Sequence, residues 1–257
     1  MKSNQYIDGT YSQKATGWHA SESPWKAANV LKLISRNSLV FETACDVGCG
    51  VGEVLAELQN ALDPDIEFSG FDISPQAIAV AKAKENERLK FYEDDFVKSS
   101  SKEFDLILLL DVFEHVSDYI GFLESVRDRA SWFIFHIPLD ITAKGVLFKS
   151  NWMLYMRERY GHLHYFSAET AMATLSDAGY EVVDFSYTDD FDVTKKMIPK
   201  HFRSRLVYEA RRYLSRTRPR LAASIFEQFN LLALARGGRP VAGQRDHSRQ
   251  SAGDTLG

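Results

Sequence analysis

The sequence predicts an α/β protein with a doubly wound sheet of seven, mostly parallel strands. Apolar runs of strand length alternate along the chain with segments in which apolar residues recur at helical spacing. This alternation is typical of parallel strands joined by crossover helices. The run from Phe104 to Leu110 is almost continuously apolar, as expected of a central strand covered on both faces. With 257 residues, the chain is long enough to bury a sizeable core in one domain.

The individual elements follow from local signals. Ser23 and Pro24 predict the start of the first helix. The side of this helix that faces the sheet is predicted to carry Trp25, Ala28, Leu31 and Ile34. Further helices are predicted at 54–62, at 75–88 with Ser74 as its cap, at 117–126, and between Ser167 and Gly179. Strands are predicted at 41–47, 66–71, 89–93, 104–110, 131–137, 180–187 and 229–236.

A glycine-dense turn, Asp46-Val47-Gly48-Cys49-Gly50-Val51-Gly52, lies between the first predicted strand and the helix that follows it. Glycine lacks a Cβ atom, so a ligand can approach the main chain here, where the amide groups at the helix start face outward. Asp72 ends the next predicted strand. It lies about 20 residues further on, the offset at which a carboxylate binds the hydroxyl groups of an adenosine ribose. The two features together predict a nucleoside-binding pocket.

Charge and spacing narrow the choice of nucleoside. The glycines form a G-x-G-x-G pattern, whereas a dinucleotide site requires G-x-G-x-x-G, and the chain has no G-x-x-x-x-G-K-[ST] run for a triphosphate. Asp46 would repel a pyrophosphate, but it would suit a ligand that carries an ammonium and a sulfonium group. S-adenosylmethionine carries both groups and is therefore the predicted cofactor.

Four segments give the chain a resemblance to the class I S-adenosylmethionine-dependent methyltransferases, and within them to bacterial small-molecule enzymes of the ubiquinone-biosynthesis type. They are the glycine turn, Phe71-Asp72-Ile73-Ser74, Glu93-Asp94-Asp95-Phe96, and the stretch 104–116. The resemblance implies a Rossmann-like methyltransferase fold whose last two strands form an antiparallel edge. It also implies a cofactor-binding set of Asp46, Gly48, Cys49, Gly50, Gly52, Asp72, Ile73, Asp95, Phe96, Asp111 and Val112.

Within that set, the resemblance implies a separate role for each part. Gly48, Gly50 and their neighbours would hold the methionine part of the cofactor, and Asp72 would hold the ribose. Asp95 and Phe96 would meet the adenine. In such enzymes the acidic residue that ends the fourth strand, here Asp111, lies between cofactor and substrate.

The chemistry itself predicts a further requirement. Methyl transfer from a sulfonium is an in-line displacement, for which the protein aligns donor and acceptor and excludes water. A hydroxyl acceptor also needs a base. His136 is the first choice because it lies near a strand end, although a hydrogen-bonded core histidine fits its apolar strand about as well. The predicted catalytic set is His136, His115 and Asp111, with His162 and His164 as further candidate bases.

No metal site is predicted. Asp111 and Asp140 are two acids at opposite rims of the expected crevice, which is weak support for a bound cation. The predicted function is S-adenosylmethionine-dependent methyl transfer to a small-molecule acceptor, first of all to a hydroxyl oxygen of a sugar, a phenol or a lipid-linked intermediate. The alternatives are a C- or N-methyltransferase on the same fold, and a non-catalytic S-adenosylmethionine-binding protein.

Three regions organise the chain. We predict an N-terminal helical lid segment at 1–37, a methyltransferase domain at 38–236 and a disordered, polar tail at 237–257. The domain contains insertions at 138–166 and 188–228, which are expected to form the sides of the substrate-binding crevice. Trp18, His19 and Trp25 are candidates for a lid, although a plain packing helix is slightly favoured.

Two features of the sequence predict the cellular location of the protein. The chain start lacks the apolar core of a signal peptide, and no apolar run approaches the about 20 residues needed to span a bilayer, which predicts a cytoplasmic protein. Cys45 and Cys49 match neither a redox pair nor a zinc cluster and are interpreted as small packing residues.

A basic segment at 195–220 carries ten Lys and Arg residues and one acid, Glu209, within a chain of net charge −4. Phe202, Leu206, Ala210 and Leu214 recur every fourth residue, which predicts an amphipathic helix that Pro219 ends. Its charges are most simply solvated, and the alternatives are an anionic substrate or a membrane surface. Nucleic acid is the least favoured partner, because no basic strand interleaved with aromatic residues is present to stack bases.

Overall fold

The computed structural model describes residues 20–99, 102–148, 151–189 and 202–239, which form a single seven-stranded sheet covered by helices. The strands are β1 (Thr43–Val47), β2 (Glu67–Asp72), β3 (Leu89–Glu93), β4 (Phe104–Leu110), β5 (Ala130–Pro138), β6 (Glu181–Asp189) and β7 (Phe229–Arg236). The helices are α1 (Ser23–Arg36), α2 (Glu53–Ala61), α3 (Pro75–Ala81), α4 (Phe96–Ser99), α5 (Tyr119–Arg127), α6 (Ala143–Leu147), α7 (Trp152–Arg159), α8 (Ala168–Asp177), α9 (Phe202–Thr217) and α10 (Pro219–Ile225).

The strand order is β3-β2-β1-β4-β5-β7-β6. Strands β1 to β5 pair in parallel, and β7 pairs antiparallel with both β5 and β6. This confirms the predicted fold class. The last two strands form an antiparallel pair at the edge of the sheet, as expected. Within that pair β7 is the strand that reverses direction, because it is also antiparallel to β5, and β6 runs parallel to β1 to β5.

Two buried clusters lie on opposite faces of the sheet. One contains residues of α5, α8 and α10 packed around Phe133 and Phe135, and the other contains residues of α1, α2 and α3 packed around Phe68. Strand β4 is buried on both faces, as its apolar run predicts, because helices cover both sides of the sheet. This doubly wound arrangement brings the ends of β1, β2, β4 and β5 to one edge.

Two helix boundaries differ from the predictions. The predicted helix 75–88 starts as expected, with Ser74 as its cap, but it stops being α-helical at Ala81, and Glu85 already accepts the amide hydrogen of Phe91 in β3 at 2.8 Å. Ser117 does not open the fifth helix, because Asp118 is its cap and accepts the amide hydrogen of Gly121 at 3.1 Å. Side-chain capping therefore decides the start of this helix.

The predicted sheet-facing side of α1 is partly wrong. The buried residues are Ser23, Ala27, Val30, Leu33 and Ile34, whereas Ala28 is exposed. Helix α1 packs on α2 as well as on the sheet, so its buried stripe is wider and rotated relative to the predicted one. Trp18 and His19 lie outside the described residues. So does 240–257, most of the predicted tail, whereas Gly237 and Gly238 still donate main-chain hydrogen bonds to Ser131 and Arg127.

The predicted apolar face of the basic helix is partly wrong, since only Leu214 of its described residues packs on the core. Leu206 and Ala210 of α9 are exposed, and the residue that is buried is Arg211, at 6% exposure. The Arg211 guanidinium donates to Asp189 and to the carbonyl oxygen of Glu227 at 2.7 Å, and these partners make its burial possible. The positions before 202 lie outside the described residues, and the predicted anionic-substrate or membrane role of the segment stays a prediction.

Pro219 does more than end α9, because it is the first residue of α10, a position that proline favours. None of the helices in the described part of the chain is long and apolar enough to cross a membrane. Cys45 and Cys49 are buried free thiols, as the packing interpretation predicts.

Candidate active site

A cavity of about 610 Å³ opens at the edge where β1, β2, β4 and β5 end. Ten of the eleven predicted cofactor residues line it. They are Asp46, Gly48, Cys49, Gly50, Asp72, Ile73, Asp95, Phe96, Asp111 and Val112. The parallel register explains this, since Asp46 pairs with Gly70 in β2 and Asp72 pairs with Glu93 in β3, so that consecutive strand ends lie side by side.

The glycines of the turn have two different tasks. Gly50 has φ +54°, and a Cβ atom there would meet no atom within 4 Å, so its main chain faces open cavity. Gly52, the eleventh predicted residue, is the N-cap of α2 with φ +76°, and a Cβ atom there would lie 2.4 Å from the ring of Phe91. Gly50 is therefore suited to contact a ligand, whereas Gly52 allows helix and sheet to pack closely.

Asp72 is held in place by the main chain. One carboxylate oxygen accepts the amide hydrogen of Gly50 at 2.8 Å, and the other accepts that of Ser74 at 2.8 Å. Burial raises the pKa of Asp72, and these two amide groups oppose the rise. The carboxylate is thus oriented towards the glycine turn before any ligand binds.

Asp46 is a buried carboxyl group at 3% exposure, and its Oδ1 atom has no hydrogen-bond partner among the described residues. Burial and the negative charge of Asp72 raise its pKa to about 7. A cationic ligand beside Asp46 would supply the missing positive charge. The position is therefore prepared for an ammonium or sulfonium group.

Asp111 lies at the centre of a network that joins four elements. Its Oδ2 atom is 2.6 Å from Nζ of Lys26 in α1, and its Oδ1 atom is 2.6 Å from Nδ1 of His136 in β5. The other ring nitrogen of His136 is 3.0 Å from the hydroxyl of Thr188 in β6. Burial acts to raise the pKa of Asp111, but His136 and Lys26 outweigh it and hold that pKa well below its usual range.

This network gives His136 a position behind Asp111. Its side chain is 3% exposed, and the Trp25 ring contacts it in a T-shaped arrangement at a centroid distance of 5.8 Å. Both ring nitrogens have protein partners. The base role of His136 stays a prediction, and the geometry supports a residue that positions Asp111. Asp111 itself has φ +59°, a left-handed conformation that is uncommon outside glycine and that is often found at functional sites.

A second wall of the cavity, here called the acceptor wall, consists of His115, Asp140, Trp152 and His162. Oδ2 of Asp140 is 2.6 Å from Nδ1 of His162, and Oδ1 of Asp140 accepts from the Trp152 indole at 2.9 Å. The rings of His115 and His162 meet edge to face at 5.0 Å. The structure therefore brings two predicted candidate bases, His115 and His162, to the same wall. His164 points elsewhere, with Nε2 2.9 Å from the carbonyl oxygen of Val116.

Glu114 lies directly behind the acceptor wall. Its side chain is 1% exposed, and neither of its carboxylate oxygens has a hydrogen-bond partner among the described residues. Burial and the negative charge of Asp111 raise its pKa well above the usual value. A buried acid of this kind is costly unless some group compensates it.

Sequence reasoning missed three features of the site. Lys26 is on a helix whose start was predicted, but nothing in the sequence pairs it with Asp111. The Asp140–His162 pair joins two parts of an insertion whose path the sequence does not predict. Glu114 directly precedes His115 in the sequence, and this adjacency to a candidate base was the available signal that Glu114 belongs to the site.

The fold and this site define a class I S-adenosylmethionine-dependent methyltransferase. Residues 23–184 match the family described as methyltransferase domain, so the chain belongs to that family. Among curated proteins, it is similar to acetylserotonin O-methyltransferase of Bos taurus, with 34% identity over 98 residues. That match covers 37% of this chain and 28% of the length of the bovine enzyme.

Solved structures share the fold at low sequence identity. A chain of the complex that contains the Haloferax volcanii Trm112 methyltransferase activator has a TM-score of 0.61 and 17% identity, covering 90% of this chain and 95% of that chain. Magnesium protoporphyrin IX methyltransferase from Synechocystis PCC 6803, with bound SAH, has a TM-score of 0.55 and 16% identity, covering 83% of each chain. The N-methyltransferase NodS from Bradyrhizobium japonicum WM9 has a TM-score of 0.52 and 16% identity, covering 83% of this chain and 86% of that chain.

Proposed function

We propose that the protein transfers the methyl group of S-adenosylmethionine to a hydroxyl oxygen of a small organic acceptor. The observation that carries this proposal is one cavity with two chemically different walls. A donor wall holds Asp46 and Asp72 beside the glycine turn, and the acceptor wall holds His115 and His162. A cationic donor suits the carboxylates, whereas a hydroxyl acceptor requires a group that can take its proton.

The donor wall offers a partner for each polar part of the cofactor. The methionine end carries an ammonium, which we assign to Asp46, and a carboxylate, which we assign to Lys26 of the cavity lining. The ribose hydroxyls are assigned to Asp72, and the adenine to Asp95 and Phe96. Lys26 would thereby exchange part of its ion pair with Asp111 for the carboxylate of the ligand.

The acceptor wall offers an oriented imidazole. Because Asp140 is acceptor-only when ionised, Nδ1 of His162 carries the hydrogen, and Nε2 is left to accept a proton. In the proposed reaction, the acceptor O–H bond breaks as the proton passes to Nε2, the new O–C bond forms, and the C–S bond breaks to leave S-adenosylhomocysteine. A positioned base of this kind contributes roughly 10²–10⁴ in rate.

A labelling experiment tests the proposal. The protein is incubated with ¹³C-methyl S-adenosylmethionine and fractionated cell metabolites, and products are analysed by mass spectrometry and carbon NMR. A methoxy product that is absent with Asp72→Ala supports the proposal. If the labelled methyl group is found on nitrogen or carbon, methyl transfer is retained and the hydroxyl acceptor is wrong. Tight NADH binding without S-adenosylmethionine binding would overturn the assignment entirely.

A further inference from the structure

We propose that Glu114, His115 and His162 form a binding site for a divalent transition-metal ion at the acceptor wall. One ligand atom from each residue lies within 4.8 Å of the other two. Oε1 of Glu114 is 3.7 Å from Nε2 of His115. Ligand atoms around a tetrahedral zinc ion, at bond lengths of about 2.0–2.2 Å, are about 3.4 Å apart. Small side-chain rotations would therefore bring the three groups into coordination.

The carboxylate of Glu114 is the strongest reason to expect a cation. It is almost completely buried, and neither oxygen has a hydrogen-bond partner among the described residues. Its main chain is firmly placed, because the Glu114 carbonyl oxygen accepts the amide hydrogens of Leu163 and His164 at 2.8 and 3.1 Å. A buried carboxylate without a partner is unfavourable, and a metal ion would supply both the missing charge and the missing bond.

His162 already has the outer-shell partner that metal-bound histidines require. Its Nδ1 atom is 2.6 Å from Oδ2 of Asp140, and Asp140 is in turn fixed by the indole of Trp152 at 2.9 Å. In metal sites, a carboxylate on one ring nitrogen sets the tautomer and makes the other nitrogen a better ligand. The Nε2 atom of His162 is thereby prepared to bind the ion.

The ligand set indicates which ions the site would take. Two imidazoles and one carboxylate favour zinc, cobalt, manganese or ferrous ions over magnesium and calcium, which prefer oxygen ligands. Because His115 and His162 line the cavity, the remaining coordination positions face the acceptor. The catalytic use of the ion rests on the proposed function: a coordinated acceptor hydroxyl has a lower pKa and releases its proton to water, so Nε2 need not take it.

Metal binding is tested on the full chain after treatment with a chelator. The protein is titrated with Co²⁺, and binding is followed by calorimetry and by visible absorption. We expect one equivalent to bind, with the absorption bands of a four- or five-coordinate ion. Glu114→Gln, which keeps the shape and removes the charge, should weaken binding at least tenfold. The matched control is His164→Gln, which removes a neighbouring imidazole outside the cluster and should leave the affinity unchanged.

Thermal unfolding gives a second readout for the same variants. A bound ion should raise the unfolding midpoint of the unaltered protein but not that of Glu114→Gln, because an ion stabilises only the state that binds it. Without metal, Glu114→Gln should unfold at a higher temperature than the unaltered protein, since it removes a buried unpaired acid. Equal Co²⁺ affinity in both proteins, or no saturable Co²⁺ binding by the unaltered protein, would overturn the metal site.

These outcomes are separate from those of the proposed function. Loss of the metal site would leave the His162 imidazole as the proton acceptor, and the labelling experiment would still give a methoxy product. Conversely, saturable Co²⁺ binding without any labelled methoxy product would retain the metal site and overturn the hydroxyl acceptor.

Discussion

The donor wall and the acceptor wall of the cavity are built in different ways. The central part of the donor wall, Asp46, the glycine turn and Asp72, comes from one β-α-β unit, in which the Gly50 amide donates to the Asp72 carboxylate across 22 positions. The acceptor wall combines a turn after β4 with the long segment after β5, and its contacts are between side chains, such as that of Asp140 with His162. One wall is therefore specified by backbone geometry, and the other by side chains on loops.

This difference indicates which part of the cavity selects the methyl acceptor. A turn of main-chain amides and a fixed carboxylate can recognise the same adenosyl group in many proteins that share the fold. Side chains carried on loops vary without disturbing the sheet, so they suit a part of the site that selects the acceptor. We therefore expect changes in the donor wall to alter cofactor affinity, and changes in the acceptor wall to alter turnover.

The largest expected effect tests the acceptor wall. His162→Gln should lower kcat by about 10³-fold, because it removes the oriented nitrogen that accepts the proton or binds the ion. The affinity for S-adenosylmethionine, measured by calorimetry, should change less than threefold. The acceptor found by labelling serves as substrate, and His164→Gln is the control. A tenfold loss of cofactor affinity would place His162 in the donor wall, and the assignment of separate roles to the two walls would then be wrong.

The next effect tests the donor wall. Asp72→Ala should weaken S-adenosylmethionine binding about 100-fold, since it removes hydrogen bonds between a charged acceptor and the ribose hydroxyls. Glu93→Gln is the matched control, because Glu93 is an exposed acid paired in register with Asp72. Calorimetry measures both, and circular dichroism checks the fold. Unchanged affinity in Asp72→Ala would remove this carboxylate from the site.

The pH dependence of binding sharpens the role of Asp46. With its pKa at about 7 in the free protein, Asp46 is mostly protonated at pH 6 and mostly ionised at pH 8. A cationic donor prefers the ionised form, so the affinity should rise about tenfold between these two values. Asp46→Asn should abolish the rise. A pH-independent affinity in the unaltered protein would assign the ammonium group to another carboxylate.

The same raised pKa has a consequence for stability. The folded protein keeps the Asp46 proton up to about pH 7, whereas an unfolded chain loses it near 3.8. The folded state therefore binds more protons in this interval, and the contribution of Asp46 to stability falls as the pH rises through it. Bound S-adenosylmethionine should reduce this loss.

A smaller effect separates positioning from proton transfer. His136→Asn should lower kcat no more than tenfold, and it should reduce the free energy of unfolding by about 1–3 kcal/mol, because it disturbs buried hydrogen bonds to Asp111 and Thr188. Denaturant unfolding and steady-state kinetics measure the two quantities. If turnover fell 100-fold or more at unchanged stability, His136 would regain the role of base.

The smallest expected effect concerns the basic segment. Charge reversal at the exposed Arg205 and Arg216 of α9 should leave both turnover and sedimentation with anionic liposomes unchanged if the charges are only solvated. Arg211 is excluded from this experiment because it is buried and paired. Liposome binding by the unaltered protein that is lost in the variant would establish the membrane alternative.

Much of the fold could be predicted from the sequence because its signals are local. Strands 89–93, 104–110 and 229–236 agree with the structure residue for residue, since each is an apolar run between turn signals. The side of a helix that becomes buried was harder to predict. In α9 the regular apolar spacing predicted one buried face. The side chain of Arg211 is buried instead, because its guanidinium donates hydrogen bonds to Asp189 and Glu227.

The sequence alone determined the doubly wound sheet and the glycine turn with Asp72 at the next strand end. These features depend on apolar periodicity, on a turn that needs positive φ angles, and on residues close together in the chain. Only the tertiary structure decided the acceptor wall. Glu114, Asp140 and His162 meet because β4 and β5 end side by side and the segment after β5 folds back on them. Contacts between such distant positions depend on the packing of the whole chain, which no short stretch of sequence encodes.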